Sequence, residues 1–336
     1  MKKGLLKWQP GMRIENSAGT VNPNTLGYQY TIQTTTQILP EKVIGQTFYT
    51  VPFEKFVPLE IGLAAWMEQI KINTGFRLAN NFFQGLSSLS QGPAQIARVD
   101  VGLAPVTVAI DTFTGGYDYT IAEINKALAS DNWDVVSDKM IALKEMWDLG
   151  LQSVCFLGNP GDQTNFPGLL TNSNVTINTT VIPQFINAMS STQFATFVAN
   201  IIQTYFANTN FTMMPNTFVI PYTDWNGLTV PVSSQYPNVS MRTYLLDALR
   251  ETTGNPDFQI MPVAYCDTVN NTAFIGHYRY ALYHRDPRTL RMFIPVDFML
   301  NPAGTANNWQ FQAVAAGQFT SPVIIKPAEV VYFDHS

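Results

Sequence analysis

Charged side chains are scarce in this chain: Lys, Arg, Asp and Glu make up 13% of its 336 residues, where soluble domains carry about 25%. The 19 basic residues against 24 acidic ones leave a net charge of -5. That balance excludes phosphate clamping as a main role and a polybasic membrane adaptor. A surface so poor in charge needs cover, because apolar patches beyond a few hundred Å² invite aggregation. No window approaches the ~20 consecutive apolar residues of a spanning helix, so no membrane partner is expected and other protein chains are the expected cover. The opening Met1-Lys2-Lys3-Gly4-Leu5-Leu6-Lys7 is basic, but its apolar run stops after two residues and no signal-peptide core follows. Export is therefore not expected.

Cysteine and histidine are nearly absent too. Cys155 and Cys266 are the two cysteines, and none of the three histidines stands at metal spacing. The sequence gives no support for a disulfide framework or a zinc site, and both cysteines are predicted to be buried apolar residues. There is no Gly-x-Ser-x-Gly, no His-Glu-x-x-His and no Gly-x-Gly-x-x-Gly. The glycines of 158–162 and 165–170 lack the Lys-Ser/Thr of a phosphate loop and read as turns. His277 and His284 fall on opposite faces of one strand, and His335 is expected to fray. Asp131, Asp134 and Asp138 read as a solvated helix face rather than a cation site. No catalytic residue, metal ligand or cofactor is expected. A hydrolase using His277, His284 or Asp297 stands as the competing reading from another class.

What the chain does have is 46% hydrophobic content, ample for a packed core of mixed α+β class. Residues 1–50 are polar, rich in Thr, Asn and Gln, and cannot bury enough of themselves to offset their ordering entropy; they read as an extended arm. Residues 66–72 alternate apolar and polar and are answered by 96–101, which predicts a long hairpin. Its middle, 74–95, carries Phe76, Phe82, Phe83, Leu86 and Leu89 with a single charge, Arg77. A lone two-stranded hairpin is marginal in water, so this one needs a surface to lie on.

Helical periodicity is clearest from 120 to 150. Ile124 and Leu128, then Val136, Met140, Leu143 and Trp147, share one face at steps of three and four, with Gly150 closing the helix and 154–158 leaving as a strand. Further helices are predicted behind Ser190 and Ser240, with strands at 218–221, 260–265, 273–283, 292–296, 310–314 and 323–325.

The order of these elements resembles the major capsid protein of tailed bacteriophages with the Hong Kong 97-type fold, which encapsulin shells share. The likeness is carried by Tyr117 to Ile124 opening the long helix, Phe156-Leu157-Gly158-Asn159, Pro167-Gly168-Leu169-Leu170-Thr171-Asn172, Phe218-Val219-Ile220-Pro221, and the closing 312–319 and 322–327. It covers about residues 40 to 330. The resemblance implies an N-terminal arm (1–50), peripheral-domain strands (51–61), an extended loop (62–112), a peripheral domain with a spine helix (113–159), an axial domain (160–290) and a return to the peripheral sheet (291–336). It further implies a structural subunit of hexamers and pentamers in an icosahedral head enclosing double-stranded DNA without sequence-specific binding. Portal, scaffolding and decoration proteins would be partners, in a virion built in the bacterial cytoplasm. Trp66, Ile70, Phe76, Arg77, Phe82, Phe83, Leu86 and Leu89 would contact a neighbouring subunit, and Lys71 with Asn301 would be candidates for a covalent link between subunits. An encapsulin-like compartment is the alternative within the fold.

Overall fold

The computed structural model describes residues 15–16, 19–20 and 48–335, apart from 79–98, 132–133, 234–235, 302 and 308. The predicted arm therefore lies almost wholly outside the described residues. The chain divides into two units, one of residues 1–49, 118–140 and 305–312, the other of 50–117, 141–304 and 313–336.

The larger unit is organised by a five-stranded sheet whose central strands are apolar on both sides. In chain order these strands are β5 (Thr176–Asn178), β6 (Thr217–Pro221), β7 (Gln259–Val263), β8 (Tyr278–Tyr283) and β14 (Val330–His335), arranged β7-β6-β8-β14-β5. β7 runs parallel to β6 and β5 parallel to β14, while β8 is antiparallel to both its neighbours. Side chains alternate across a strand, so Val219, Ala281, Tyr283, Val330 and Tyr332 enter one core and Phe218, Ile220, Tyr280, Leu282, Val331 and Phe333 another. The first core is completed by Trp147, Leu151, Cys155 and Phe156 of helix α2 (Val135–Leu157). Helices α3 (Ser191–Thr209) and α5 (Met241–Thr253) cover the other face with Phe194, Phe197, Ile201, Tyr205, Leu245 and Leu249. Between them in sequence lies the short helix α4 (Tyr222–Gly227).

Buried tyrosine hydroxyls in the sheet and on α3 find acceptors. Tyr283 donates to the Phe56 carbonyl at 3.0 Å, Tyr280 to Asp224 Oδ2 at 2.9 Å, Tyr205 to the Glu329 carbonyl at 3.1 Å, and Tyr332 to the Leu169 carbonyl. Burial pushes all four phenols well above their ordinary value. Asp224 is pushed up by the same burial, against the pull of the Asn187 and Ile186 amides and the Tyr280 hydroxyl that donate to it.

Sequence punctuation sets several ends. Ser190 and Gln193 form a reciprocal capping box at the start of α3, and Asn210 closes it at φ 50°. Ser240 caps α5, whose end is Gly254 at φ 64°. Helix α2 runs through Gly150, contrary to the expected stop there, and residues 154–157 are helical rather than a strand. A helical glycine costs about 1 kcal/mol, and the row Trp147, Leu151, Cys155 that runs past it is buried at 2%, 4% and 0% exposure, which outweighs that cost. The chain turns instead at Gly158, φ +81°, pressed against the 166–168 turn. A Cβ there would lie 2.3 Å from the Phe166 carbonyl oxygen. Gly158→Ala is expected to lose about 3 kcal/mol through left-handed strain plus overpacking, read as a lower urea midpoint with unchanged m.

Two other expectations change. His335 is not frayed: it ends β14 at 8% exposure, opposite Tyr278, with its ring 4.5 Å from that of Phe185 and 5.2 Å from that of Tyr278. Residues 330–335 also join the sheet of 217–283 rather than the closing strands near 290–325. Those strands are β9 (Leu290–Ile294), β10 (Val296–Leu300), β11 (Gly304–Asn307), β12 (Gln310–Phe319) and β13 (Val323–Ile324). β9 pairs with β13 and, in parallel, with β1 (Leu59–Ile61). β12 pairs with β10 and with β4 (Asp111–Thr120), a strand that the Gly115-Gly116 pair had hidden in the sequence.

The smaller unit holds helix α1 (Ile121–Asp131), and Asp131 and Val135 bracket an interruption, so the predicted 120–150 helix is two helices. Thr120 caps α1 by accepting the Glu123 amide at 3.2 Å, and Asp134 opens α2 by accepting the Ser137 amide at 3.1 Å. Lys139 pairs with Glu123 at 2.7 Å and donates to the Asp118 carbonyl.

Candidate assembly surface

The feature that sets this chain apart is a two-stranded ribbon. β2 (Gln69–Leu78) and β3 (Asp100–Ala109) pair antiparallel over ten residues each, from Gln69↔Ala109 to Leu78↔Asp100. At ~3.3 Å per residue that is about 33 Å of ribbon. Pairing starts at Gln69, not 66, and runs past 72 to Leu78; the described partner strand continues from Asp100 to Ala109, beyond the expected end at 101, and 96–98 lie outside the described residues.

One face of the ribbon is anchored at its root. Ile72 and Val108 are buried against Phe293 of β9, with Ile70, Val106, Val323 and Ile325 around them. Past this anchor the apolar side chains lose their cover. Leu103 is 71% exposed and Val101 64%, both on the face that also carries Lys71 and Arg77, and Val99 is 74% exposed. Leu103 lies across from Gly75, where a Cβ would stand 3.7 Å from its Cδ2.

At the root, the segment entering the ribbon is also apolar and uncovered: Ile61, Leu63, Trp66 and Met67 are exposed at 63%, 53%, 58% and 58%. Gly62, Ala64 and Trp66 all hold positive φ (84°, 61°, 62°), a conformation that costs non-glycine residues of order 1–3 kcal/mol. The turn is tied down by its hydrogen bonds. Gly62 N–H donates to the Ile294 carbonyl at 3.0 Å, Met67 N–H to Ala64, and Trp66 N–H to Gln318 Oε1 at 2.6 Å, while Gln318 donates in turn to Thr112 Oγ1.

The contact residues expected from sequence divide accordingly. Trp66 sits in the root turn, Ile70 on the anchored face and Arg77, exposed, on the open one. Phe76 lies on β2, and Phe82, Phe83, Leu86 and Leu89 lie outside the described residues. Lys71 and Asn301 are both exposed, and the Asn301 amide donates to the Val314 carbonyl. On the spine, Leu143 and Trp147 are buried, Ile124 and Val136 are half-buried, and Leu128 lies within α1. Met140 does not belong to the core: it is 41% exposed. Val99, Val101 and Leu103 were missed as surface residues. The alternation of Val101, Leu103, Pro105 and Thr107 against Gly102, Ala104, Val106 and Val108 was the available signal, and it does not say which face is anchored.

The catalytic candidates do not converge. His277 and His284 flank the six-residue β8 at its two ends, His277 exposed and His284 with Nδ1 2.8 Å from the Met214 carbonyl. Asp297 is exposed and accepts only from the neighbouring Phe298 amide among the described contacts. Cys155 and Cys266 are free and fully buried, and burial pushes both thiols up. Among the described residues no group of acids, histidines and cysteines could hold a metal ion, and no helix is long and apolar enough to cross a membrane.

The ribbon is thus anchored on one face at its root and bares Val101 and Leu103 on the other, and a family model described as Major capsid protein matches residues 87–335. The chain belongs to the major capsid protein family. Membership makes it a structural capsid protein rather than an enzyme, which the competing hydrolase reading does not fit. Solved capsid structures share its Hong Kong 97-type fold. The capsid of Myoviridae phage XM1 matches with TM-score 0.72 at 13% identity, over 88% of this chain and 95% of its own. A chain of Mycobacterium phage Che8 matches with TM-score 0.52 at 14% identity, over 88% and 94%. A virus-like particle from Pyrococcus furiosus matches with TM-score 0.50 at 11% identity, over 84% and 92%. At such identities the likeness is one of fold. No curated protein matches the sequence significantly.

Proposed function

We propose that this major capsid protein builds its shell by laying the outer half of the β2–β3 ribbon across an adjacent copy, giving hexamers and pentamers that close into an icosahedral head around double-stranded DNA. The observation that carries this is the contrast on one ribbon: Ile72 and Val108 buried on one face at the root, Val101 and Leu103 bare on the opposite face toward the outer end. Apolar side chains held in water on a two-stranded ribbon are stable only where another surface covers them. Such a contact is heterologous, one surface of the subunit meeting a different surface of the next, and it propagates round a ring. The low charge suits a subunit with several interfaces, and the net charge of -5 suits a container that must not grip its contents. In this reading residues 1–50 form the arm, 62–112 the extended loop and 160–290 the axial domain, and scaffolding, portal and decoration proteins are the remaining partners.

The test is a Val101→Ser, Leu103→Ser double variant. Each burial of such a side chain is worth about 1.5–3 kcal/mol, so the pair weakens every ribbon contact by roughly 10²- to 10⁴-fold. The expected outcome is a subunit that melts at the parent temperature, since both side chains are exposed, but sediments without rings or shells. Closed shells at parental yield by electron microscopy would sink the proposal.

A further inference from the structure

We infer that the root turn 61–67 is a second contact site, separate from the ribbon, that receives another copy of this same chain. The inference rests on the shell role proposed above and adds to it. A single heterologous contact closes into a ring or runs on as an open helix; a closed shell needs at least one further, different contact between rings. The described surface offers one site that qualifies. Ile61, Leu63, Trp66 and Met67 put four large apolar side chains, each more than half exposed, into seven consecutive residues. No charge falls between Glu60 and Glu68. Outside the ribbon, other exposed apolar residues stand singly, as Phe211 at 76% and Val269 at 85%, or as a pair, as Met140 and Ile141 at 41% and 50% beside Lys139, which is ordinary for a protein surface.

The backbone argues in the same direction. Ala64 and Trp66 are held at φ 61° and 62°, and the bond to the buried Gln318 fixes Trp66 in that conformation. A left-handed tryptophan left 58% exposed leaves much of its apolar area unused within the subunit; the strain makes sense where the ring is an anchor on a partner. The site is also distinct from the outer ribbon. Between it and Leu103 the open face carries Gln69, Lys71 and Asn73 against Thr107 and Pro105, a polar stretch of about 20 Å at ~3.3 Å per residue. One neighbour covers the ribbon end and another covers the turn. That neighbour is a copy of the chain because the turn continues directly into the ribbon and an uncharged apolar knob meets its own kind without repulsion.

Thiol labelling tests this. Both native cysteines are fully buried, so a thiol introduced by Trp66→Cys or, in a second variant, by Leu103→Cys is the one that reacts. Each is treated with a polyethylene-glycol maleimide as dissociated subunits and as shells assembled from this chain alone, and modification is followed by gel shift. The inference expects position 66 to label freely in subunits and about tenfold or more slowly in shells. Equal rates at 66 in both states overturn it, as does protection already present in the dissociated subunit, which would mean that the chain covers its own turn. Protection at 103 with free labelling at 66 sinks this inference and leaves the ribbon proposal standing; protection at 66 with free labelling at 103 does the reverse. If Trp66→Cys subunits fold yet stop at rings, that arrest supports the inference, and Leu63→Cys then supplies the label.

Discussion

Arg279→Met is expected to cost the isolated subunit about 3–5 kcal/mol, because it strands a carboxylate inside the sheet. Arg279 on β8 and Asp334 on β14 face each other in register, each 7% exposed. The pairing is bidentate, Nε to Oδ1 at 2.7 Å and Nη2 to Oδ2 at 2.6 Å. The third nitrogen donates to the Leu170 carbonyl at 2.5 Å, and the guanidinium lies 4.8 Å from the centre of the Tyr332 ring. One side chain thus links two strands, the turn before β5 and an aromatic of the first core. The Coulomb gain of such a pair is largely spent on desolvation, so the loss on breaking it is mostly the cost of the orphaned partner. Arg279→Met with Asp334→Leu should therefore recover most of what the single variant loses. Urea denaturation of the two variants separates these cases, and a double variant no better than the single one would show that the Leu170 and Tyr332 contacts carry the energy instead.

Trp147→Ala should lose a similar amount, about 3–5 kcal/mol, through the cavity it leaves. The indole is 2% exposed and sits among Phe113, Phe319 and Phe298 at 5.3, 5.9 and 6.4 Å. Gly317 on β12 is bare so that the ring can lie against it: a Cβ there would come within 2.4 Å of the indole Cη2. Trp147 is therefore the residue that fastens helix α2 to strands β4, β10 and β12. Its Nε1 is buried and makes no hydrogen bond, so Trp147→Phe forfeits area but no polar partner and should cost clearly less. Thermal melts of the two variants check the order, and equal losses would contradict it.

Much of this arrangement was legible in the residues. The i, i+3, i+4 pattern from Phe194 to Tyr205 behind a capping serine identifies α3, and Ser240 with Gly254 brackets α5, because caps and apolar periodicity are local and mutually consistent. Trp147 and Leu143 stood out for the same reason. Local signals were silent where tertiary packing decides. Gly150 reads as a stop, yet the row beyond it is drawn into the core. The apolar Val330 to Phe333 at the end of the chain gave no hint that it forms an inner strand, since its partners lie some 50 and 150 residues away. The ribbon was legible as a hairpin but not in register, because period-two alternation alone fits more than one pairing. Which of its faces is anchored is decided by Phe293, far away in sequence.

The placement of β14 has a consequence for the order in which the subunit matures. Ribbon pairing joins segments of neighbouring sequence and needs little loop closure, whereas the main sheet is complete only when 330–335 slots between 176–178 and 278–283. Such distant pairings form slowly. A newly made chain therefore forms its ribbon, with Val101 and Leu103 exposed, before the main sheet is finished, and premature clumping in that interval competes with productive folding. If the shell forms as proposed, its yield then depends also on how fast the distant strands close relative to how often two unfinished chains collide, a race that dilution or a chaperone shifts.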